Sequence, residues 1–181
     1  MRRPISLQEF VEQLATFEHT AFRLELQSEY REPSEAESLA LFLAGDPIDP
    51  GTDPNFVPWF EQISRLVSDG KRVERVRVQE EPPTPYQRWE RWLGAWNIRA
   101  GEQLRYMTRS RAYEIGLLPA TGTTDWWLLD SNRLLLMPFD QDGNRLGDEL
   151  VTDPEVVVQA CAWRDLAVHY SILEPLQDAA A

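Results

Sequence analysis

The stretch spanning residues 71–109 constrains the fold more than any other part of the sequence. It begins with a run in which arginines alternate with valines, which predicts a strand carrying Arg75 and Arg77 on one face. Thr84, followed by a proline, is a typical helix start, and a second strand is predicted over Gln103–Arg109. Strand, helix and strand in this order predict two parallel strands joined by a right-handed crossover.

Further strands are predicted on both sides of this βαβ unit. The alternation over Ala21–Gln27 predicts an edge strand with one face toward the core. Asp125–Asp140 predicts a hairpin that turns at Ser131 and Asn132 and is apolar on both faces. Amphipathic helices are predicted over residues 7–17, 34–45, 58–70, 84–101, 112–118 and 152–175. The expected fold is therefore α/β, with α+β as the alternative: a mixed β-sheet of about five to six strands with helices on both faces.

A length of 181 residues predicts a single α/β domain. Within it we distinguish an acidic N-terminal segment, a basic βαβ block, a hairpin and a C-terminal helix, over residues 1–54, 55–118, 119–150 and 151–175. The sequence has no apolar run long enough to cross a membrane and no signal-peptide core at its N-terminus. A single cysteine, Cys161, excludes an internal disulfide and a multi-cysteine zinc site. We therefore expect a cytoplasmic protein without membrane contact.

The charge is distributed unevenly along the chain. The formal net charge of −12 argues against general nucleic-acid binding, because proteins that track phosphates usually present a net basic face. Residues 65–111 nevertheless carry eleven basic groups against six acids, whereas residues 1–64 carry four arginines against twelve acids and residues 112–181 three against twelve. The central arginines either pair with the acidic flanks or form an exposed binding surface, and the sequence leaves both interpretations open.

Motifs that would indicate catalysis or a bound metal are missing. Cys161, Asp165 and His169 share one face of the last predicted helix, but eight helical residues separate the thiol from the imidazole by about 12 Å, too far for a nucleophile and its base. Asp140–Asn144 resembles the start of a calcium-binding EF-hand loop, yet the chain lacks the glycine and the closing glutamate at the positions that loop requires. We therefore expect no catalytic residue, no metal site and no cofactor, and the sequence favours a non-enzymatic protein.

The remaining candidates are side chains suited to binding anions. Guanidinium groups donate in a planar fork that matches carboxylates and phosphates. The candidate ligand-binding or partner-binding residues are Arg75, Arg77, Tyr86, Arg88, Arg91, Arg105 and Arg109. The tryptophans of the crossover helix follow helical spacing, which is more typical of core packing than of a stacking platform. If the arginines converge, they form a site for a small anion.

Several short stretches, spread over nearly the whole chain, resemble a single family. They are Phe22–Glu25 with Tyr30, Phe42–Pro47, Arg75–Val78 with Pro83–Tyr86, Ala100–Glu102, Asp125–Asp130 and Met137–Asp140 with Gly143. The family is one of actinobacterial proteins without an assigned function, whose members are commonly encoded beside helix-turn-helix regulators. The resemblance implies a regulatory or partner-binding role rather than a known reaction.

A weaker likeness is to phospholipase D-like folds, in which a helix leads into a basic strand and a later hairpin lies in the same sheet. The catalytic His-x-Lys pair of that family is absent, because neither His19 nor His169 is followed two residues later by lysine. This likeness implies a degenerate member that binds rather than cleaves.

The leading functional hypothesis is a non-enzymatic cytosolic regulator that acts with a helix-turn-helix regulator protein. Two alternatives are a hydrolase or nuclease acting on a phosphate-containing substrate, and a sensor of a small anion or nucleotide. The net charge makes direct general binding of nucleic acid unexpected.

Overall fold

One mixed sheet and six helices account for the regular structure of residues 1–176, the part of the chain that the computed structural model describes. The strands are β1 (Arg2–Ile5), β2 (Thr20–Glu25), β3 (Arg72–Gln79), β4 (Gln103–Thr108), β5 (Asp125–Leu129), β6 (Arg133–Met137), β7 (Asp148–Val151) and β8 (Ile172–Leu173). The helices are α1 (Leu7–Thr16), α2 (Ala36–Ala44), α3 (Val57–Ser68), α4 (Pro85–Ala100), α5 (Arg109–Glu114) and α6 (Pro154–Tyr170).

The strands lie in the order β1-β7-β6-β5-β2-β3-β4-β8. Strands β2, β3 and β4 are parallel neighbours, and the other pairings are antiparallel. The predicted βαβ unit is confirmed as β3, α4 and β4, and the predicted hairpin as β5 and β6. Its turn lies one residue earlier than predicted, at Asp130 and Ser131, whose φ angles of 50° and 53° are those of a tight hairpin turn.

The prediction of five to six strands was wrong, because the described residues form eight. The three additional strands, β1, β7 and β8, have two to four residues each and lie toward the edges of the sheet, where local alternation is too short to detect. The prediction that Ala21–Gln27 forms an edge strand was also wrong. Strand β2 lies in the interior of the sheet, between β5 and β3, so its charged side chains are covered rather than exposed.

Helices cover both faces of the sheet, as predicted. On one face, α5 and α6 pack over an aliphatic core that includes Leu24, Val76 and Val78. On the other face, α1 and α3 pack around Trp127, and α2 and α4 enclose an aromatic cluster around Trp89. No helix among residues 1–176 is long and apolar enough to pass through a lipid bilayer.

Helix α4 lies close against the sheet. A capping box at Thr84 and Gln87 begins the helix, and Gly101 in the left-handed conformation ends it. In the middle of the helix, a Cβ atom on Gly94 would lie 2.7 Å from Cδ2 of Leu104 and 3.0 Å from the hydroxyl of Tyr106. Glycine therefore allows this approach without displacing either side chain, and the approach brings the buried side of α4 over β3 and β4.

The turn of the β5–β6 hairpin is fixed to the start of β2. The carboxylate of Asp130 accepts hydrogen bonds from the backbone N–H groups of Glu18, His19 and Thr20, at 2.8, 2.7 and 3.0 Å. Burial alone would raise the pKa of Asp130, but these three backbone donors together lower it. The hairpin is thus anchored beside the parallel strands.

Candidate functional site

A cavity of about 310 Å³ lies on the sheet face covered by α1, α3 and α4. Exposed Ser34 and Asn55 border it, so the cavity reaches the protein surface. Its charged lining consists of Arg23, Glu25, Glu32, Glu35, Arg75, Arg77, Glu90 and Arg145. Its aromatic lining consists of Phe10, Tyr30, Phe56, Trp59, Phe60, Tyr86, Trp89, Trp127 and Phe139. The size falls within the range of sites for small organic molecules.

One carboxylate at the floor of the cavity binds three arginines. In the parallel pair of β2 and β3, Arg23 lies beside Arg75 and Glu25 lies beside Arg77. Glu25 lies 3.0 Å from Nη1 of Arg23 and accepts from Nη1 of Arg75 at 2.9 Å and from Nε of Arg77 at 2.6 Å. The strand register therefore brings three guanidinium groups to a single acid.

Two further acids from the βαβ unit complete this cluster. Glu102 accepts from Nε of Arg75 at 2.8 Å and from the side-chain amide of Asn97 at 2.6 Å. Glu90 on α4 lies 3.2 Å from Nε of Arg77, which also donates to the Glu90 backbone carbonyl through Nη1. Arg75 and Arg77 are only 5% and 4% exposed, so they do not form the open basic face that was one of the two interpretations of the sequence.

The buried acids of this cavity differ in their pKa values. Burial alone would raise the pKa of Glu25, but the three arginines around it hold that pKa well below its usual range. Burial raises the pKa of Glu90 to about 8, although Arg77 lowers it. Burial also raises the pKa of Glu35 to about 7 and that of Asp125, which borders the same cluster, to about 6. Perturbed carboxyl groups gathered in one cavity are typical of a functional site.

Arg23 packs against two aromatic rings and has a buried donor without a partner among the described residues. Its guanidinium carbon lies 5.6 Å from the ring centre of Trp127 and 5.9 Å from that of Tyr30. Its Nε–H group is buried and has no hydrogen-bond partner within residues 1–176. A buried donor without a partner costs free energy and is rare in folded proteins, so this arginine in the cavity lining is not explained by packing alone.

The rim of the cavity carries acids without basic partners. Glu35 accepts a hydrogen bond from the hydroxyl of Tyr86 at 2.7 Å, and Glu32 lies close enough to raise its pKa. Within the described part of the chain, neither glutamate is within 4.0 Å of an arginine or lysine nitrogen. The acids at the rim are thus distinct from those that neutralise the floor.

Three of the seven predicted site residues meet in this cavity: Arg75, Arg77 and Tyr86. The other four lie elsewhere. Arg88 is exposed on α4 and donates to the backbone of Pro83, whereas Arg91 pairs with Glu174 on the far side of that helix. Arg105 lies on the opposite face of the sheet and binds Glu74, and Arg109 binds Glu80 and the carbonyl of Leu26.

The sequence-based prediction missed Arg23, Glu25, Glu35 and Glu90. Arg23 and Glu25 alternate with apolar residues, and this pattern predicts that both side chains lie on the exposed face of an edge strand. The prediction of helices on both faces of the sheet contained the missing signal, because the charged face of a strand in a sheet covered on both sides is buried rather than exposed.

The described residues contain no group of three or more histidine, cysteine, aspartate or glutamate side chains arranged to hold a metal ion. Along α6, Cys161, Asp165 and His169 remain one helical row and lie outside the cavity. The cavity therefore offers hydrogen bonds, charges and aromatic surfaces as its means of recognition.

Solved structures share the fold at low sequence identity. Nuc from Salmonella typhimurium, a phospholipase D family member, is 10% identical with a TM-score of 0.53, over 96% of this chain and 94% of that one. NucT from Helicobacter pylori is 9% identical with a TM-score of 0.53, over 96% of this chain and 99% of that one. TrmBL2, an archaeal chromatin protein with a novel mode of DNA binding, is 10% identical with a TM-score of 0.50, over 95% of this chain but 54% of its own.

These similarities concern the fold, and they agree with the weaker likeness that the sequence has to phospholipase D-like proteins. Among curated proteins no significant match is found. A family model, described as a domain of unknown function (DUF6879), matches residues 8–177, which is nearly the whole chain. The chain therefore belongs to the DUF6879 family.

Proposed function

We propose that this protein is a non-enzymatic binding domain that takes a small organic molecule with a carboxylate or phosphate group into its charged cavity. The observation that carries the proposal is the convergence of Arg23, Arg75 and Arg77 on Glu25 at the floor of a cavity that reaches the surface. Guanidinium groups have five donors each, so three of them supply more donors than one carboxylate accepts.

Fold stability alone is a poor reason for such a cluster. Buried ion pairs lose so much hydration that replacing them by apolar residues of similar volume is often neutral or stabilising. The same sheet face contains such residues nearby, since Trp127, Leu129 and Leu135 pack there without charge. Arginines at the centre of this face are better accounted for by recognition of a ligand.

The acids of the cavity can adjust to an incoming anion. With pKa values of about 7 and 8, Glu35 and Glu90 can each hold a proton near neutral pH and donate an O–H group. Proton uptake by either group would offset the added negative charge. Recognition of a carboxylate or phosphate would thus combine the arginines of the floor with the carboxyl group of Glu90 beside Arg77.

The test is a thermal-shift screen with molecules that carry a carboxylate or phosphate: small carboxylates, the standard amino acids, inorganic phosphate and nucleoside monophosphates. A ligand at about 100 times its Kd adds roughly 2.7 kcal/mol, which for this chain length corresponds to a Tm increase of roughly 5 to 11 °C. The increase is expected to disappear in Arg23→Gln. It is expected to persist in Arg88→Gln, which alters an exposed arginine outside the cavity.

If no molecule of the screen raises the Tm of the wild-type protein by more than it raises the Tm of the Arg23→Gln variant, the proposed function is wrong. Circular dichroism of Arg23→Gln provides the folding control. Arg75 and Arg77 still neutralise Glu25 in that variant, so the fold is expected to persist.

Hydrolysis of a phosphate ester is the second candidate function, and the fold similarity to Nuc is the observation that favours it. Neither His19 nor His169 lines the cavity, so a histidine nucleophile is not available there. We expect no release of nitrophenol from bis(p-nitrophenyl) phosphate. Release that is lost in Glu90→Gln would favour the enzyme over the binding domain.

We also propose that a helix-turn-helix regulator is the protein partner and that occupancy of the cavity controls their association. The resemblance of the sequence to a family encoded beside such regulators supports this proposal. Co-purification with the regulator encoded nearby, at micromolar concentrations with and without a ligand, tests it. Absence of association under both conditions would refute it.

A further inference from the structure

We propose that the ligand is amphoteric: a small molecule, such as an α-amino acid, whose carboxylate binds at Arg23 and whose ammonium group binds at Glu32 and Glu35. This inference rests on the proposed function and specifies the chemical class of its ligand. It depends on the placement of opposite charges at two ends of one cavity.

The anionic end of the ligand belongs at the floor. Arg23 lines the cavity, its side chain is 15% exposed, and its Nε–H has no partner in the described structure. Arg75 and Arg77 are held more closely, because each has two acids within 3.2 Å, whereas the second acid beside Arg23, Asp125, lies 3.8 Å away. A carboxylate that enters the cavity therefore meets, at Arg23, the lining guanidinium group of β2 and β3 that the acids hold least closely.

The cationic end belongs at the rim. Glu35 accepts only from Tyr86 in the described structure, and neither it nor Glu32 has a basic partner there. Around Glu35 lies the aromatic cluster of Tyr30, Phe56, Tyr86 and Trp89. Carboxylates beside aromatic faces form favourable surroundings for an ammonium group. An amine at the rim would thus supply the partner that Glu35 lacks.

The two ends are close enough to act on each other. The positive charge of Arg23 lowers the pKa of Glu35, whereas the negative charge of Glu32 raises it. A ligand of 310 Å³ or less that spans the cavity would therefore contact both signs of charge. Molecules with only one charge would use only one end.

Overall charge also favours a molecule that carries both signs. Four arginines and four glutamates line the cavity, and three further acids, Glu102, Asp125 and Asp148, lie beside the same arginines. A bare anion would add negative charge that must be offset by proton uptake at one of these acids. Uncompensated buried charge is costly, whereas a molecule with one carboxylate and one ammonium group adds no net charge.

The experiment compares matched ligands by isothermal titration calorimetry. The amino acid that stabilises the wild-type protein most in the thermal-shift screen is titrated beside its analogue without the amino group and its analogue without the carboxylate. We expect each analogue to bind at least about tenfold more weakly, the equivalent of 1.4 kcal/mol.

Two variants assign the two ends. Glu35→Gln keeps an acceptor for Tyr86 but removes the negative charge, so it should weaken the amino acid and leave the deaminated analogue unchanged. Arg23→Gln should weaken both the amino acid and the deaminated analogue and leave the decarboxylated amine unchanged.

The outcomes separate this inference from the proposed function. If a bare carboxylate or phosphate binds as tightly as any amino acid, or if Glu35→Gln has no effect on the amino acid, the amphoteric ligand is refuted and the binding domain stands. If nothing in the screen binds in a manner that depends on Arg23, both are refuted.

Discussion

Replacement of Glu25 by glutamine tests whether one acid holds the buried arginines in place. Glu25 is 4% exposed and is the shared partner of Arg23, Arg75 and Arg77. Glutamine has nearly the same shape, so Glu25→Gln removes the charge without creating a cavity. The variant leaves the three guanidinium groups beside a neutral acceptor.

The expected loss of stability is large. Removal of one member of a buried ion pair typically costs about 3 to 5 kcal/mol, because the remaining charge is left buried and unpaired. Three arginines lose a charged partner, but Glu102 still neutralises Arg75 and Glu90 still neutralises Arg77. The loss is therefore expected to stay within the range for one broken pair rather than to reach three times that value. For a domain of this size the cost corresponds to a Tm decrease of roughly 6 to 20 °C.

Equilibrium unfolding in urea, followed by tryptophan fluorescence, measures the loss directly, because Trp89 and Trp127 are buried beside the cluster. Glu61→Gln is the matched control, since Glu61 is exposed on α3 and forms no ion pair in the described structure. A further variant, Glu25→Gln with Arg23→Met, is expected to regain part of the loss, because without the Glu25 charge Arg23 keeps only Asp125, at 3.8 Å, as an acidic partner in the described structure. A free energy of unfolding for Glu25→Gln within about 1 kcal/mol of the wild type would refute this reasoning.

Three further predictions concern stability. The folded-state pKa of Glu35 is raised from 4.5 to about 7, so the wild-type protein loses stability as pH rises through this interval. Glu35→Gln avoids that loss, and its stability relative to the wild type should increase by up to about 3 kcal/mol between pH 5 and pH 8. Urea titrations at both pH values measure the difference. Gly94→Ala should cost about 1 to 3 kcal/mol by the same measurement, because its Cβ would lie 2.7 Å from Leu104. Asp130→Asn should cost about 1 to 2 kcal/mol at pH 7, and because the pKa of Asp130 is lowered, the difference should shrink as pH falls below about 4.

Local signals were sufficient to predict the centre of the fold. The crossover helix has its start and stop residues within its own sequence, at Thr84 and Gly101, and each flanking strand contains a stretch of alternating polar and apolar residues, Arg75–Gln79 and Gln103–Tyr106. The hairpin was equally accessible, because its two strands are adjacent in sequence. Such elements require no knowledge of distant contacts.

The edges of the sheet could not be predicted in this way. Strand β1 pairs with β7, where Arg2 lies opposite Val151, nearly the whole chain away. Strand β8 has two residues, Ile172 and Leu173, and becomes a strand only because β4 offers it an open edge. In both cases the partner, rather than the local sequence, determines the structure.

The composition of the sequence indicated an anion site, but the acidic partners of its arginines could not be predicted. The concentration of arginines in the centre of the sequence indicated an anion site, and Arg75 and Arg77 do lie in the cavity. Their shared acid, Glu25, comes from a strand about fifty positions earlier, and no feature of the sequence indicates that the two strands are neighbours. Burial, which determines the pKa values of Glu35 and Glu90, likewise depends on the assembled fold.

The shared carboxylate of Glu25 also determines how the chain can fold. A shift of β2 by one residue would turn Arg23 and Glu25 toward the aliphatic core of Val76 and Val78 on the other face. A shift by two residues would preserve the faces but move Glu25 from Arg77 to a position beside Arg75 or Gln79, which breaks part of the cluster. Parallel strands distant in sequence form slowly and have many possible alignments. The native alignment is the one that brings Glu25 beside Arg77 and within hydrogen-bond distance of Arg75, so the same residues that form the floor of the cavity favour the native register.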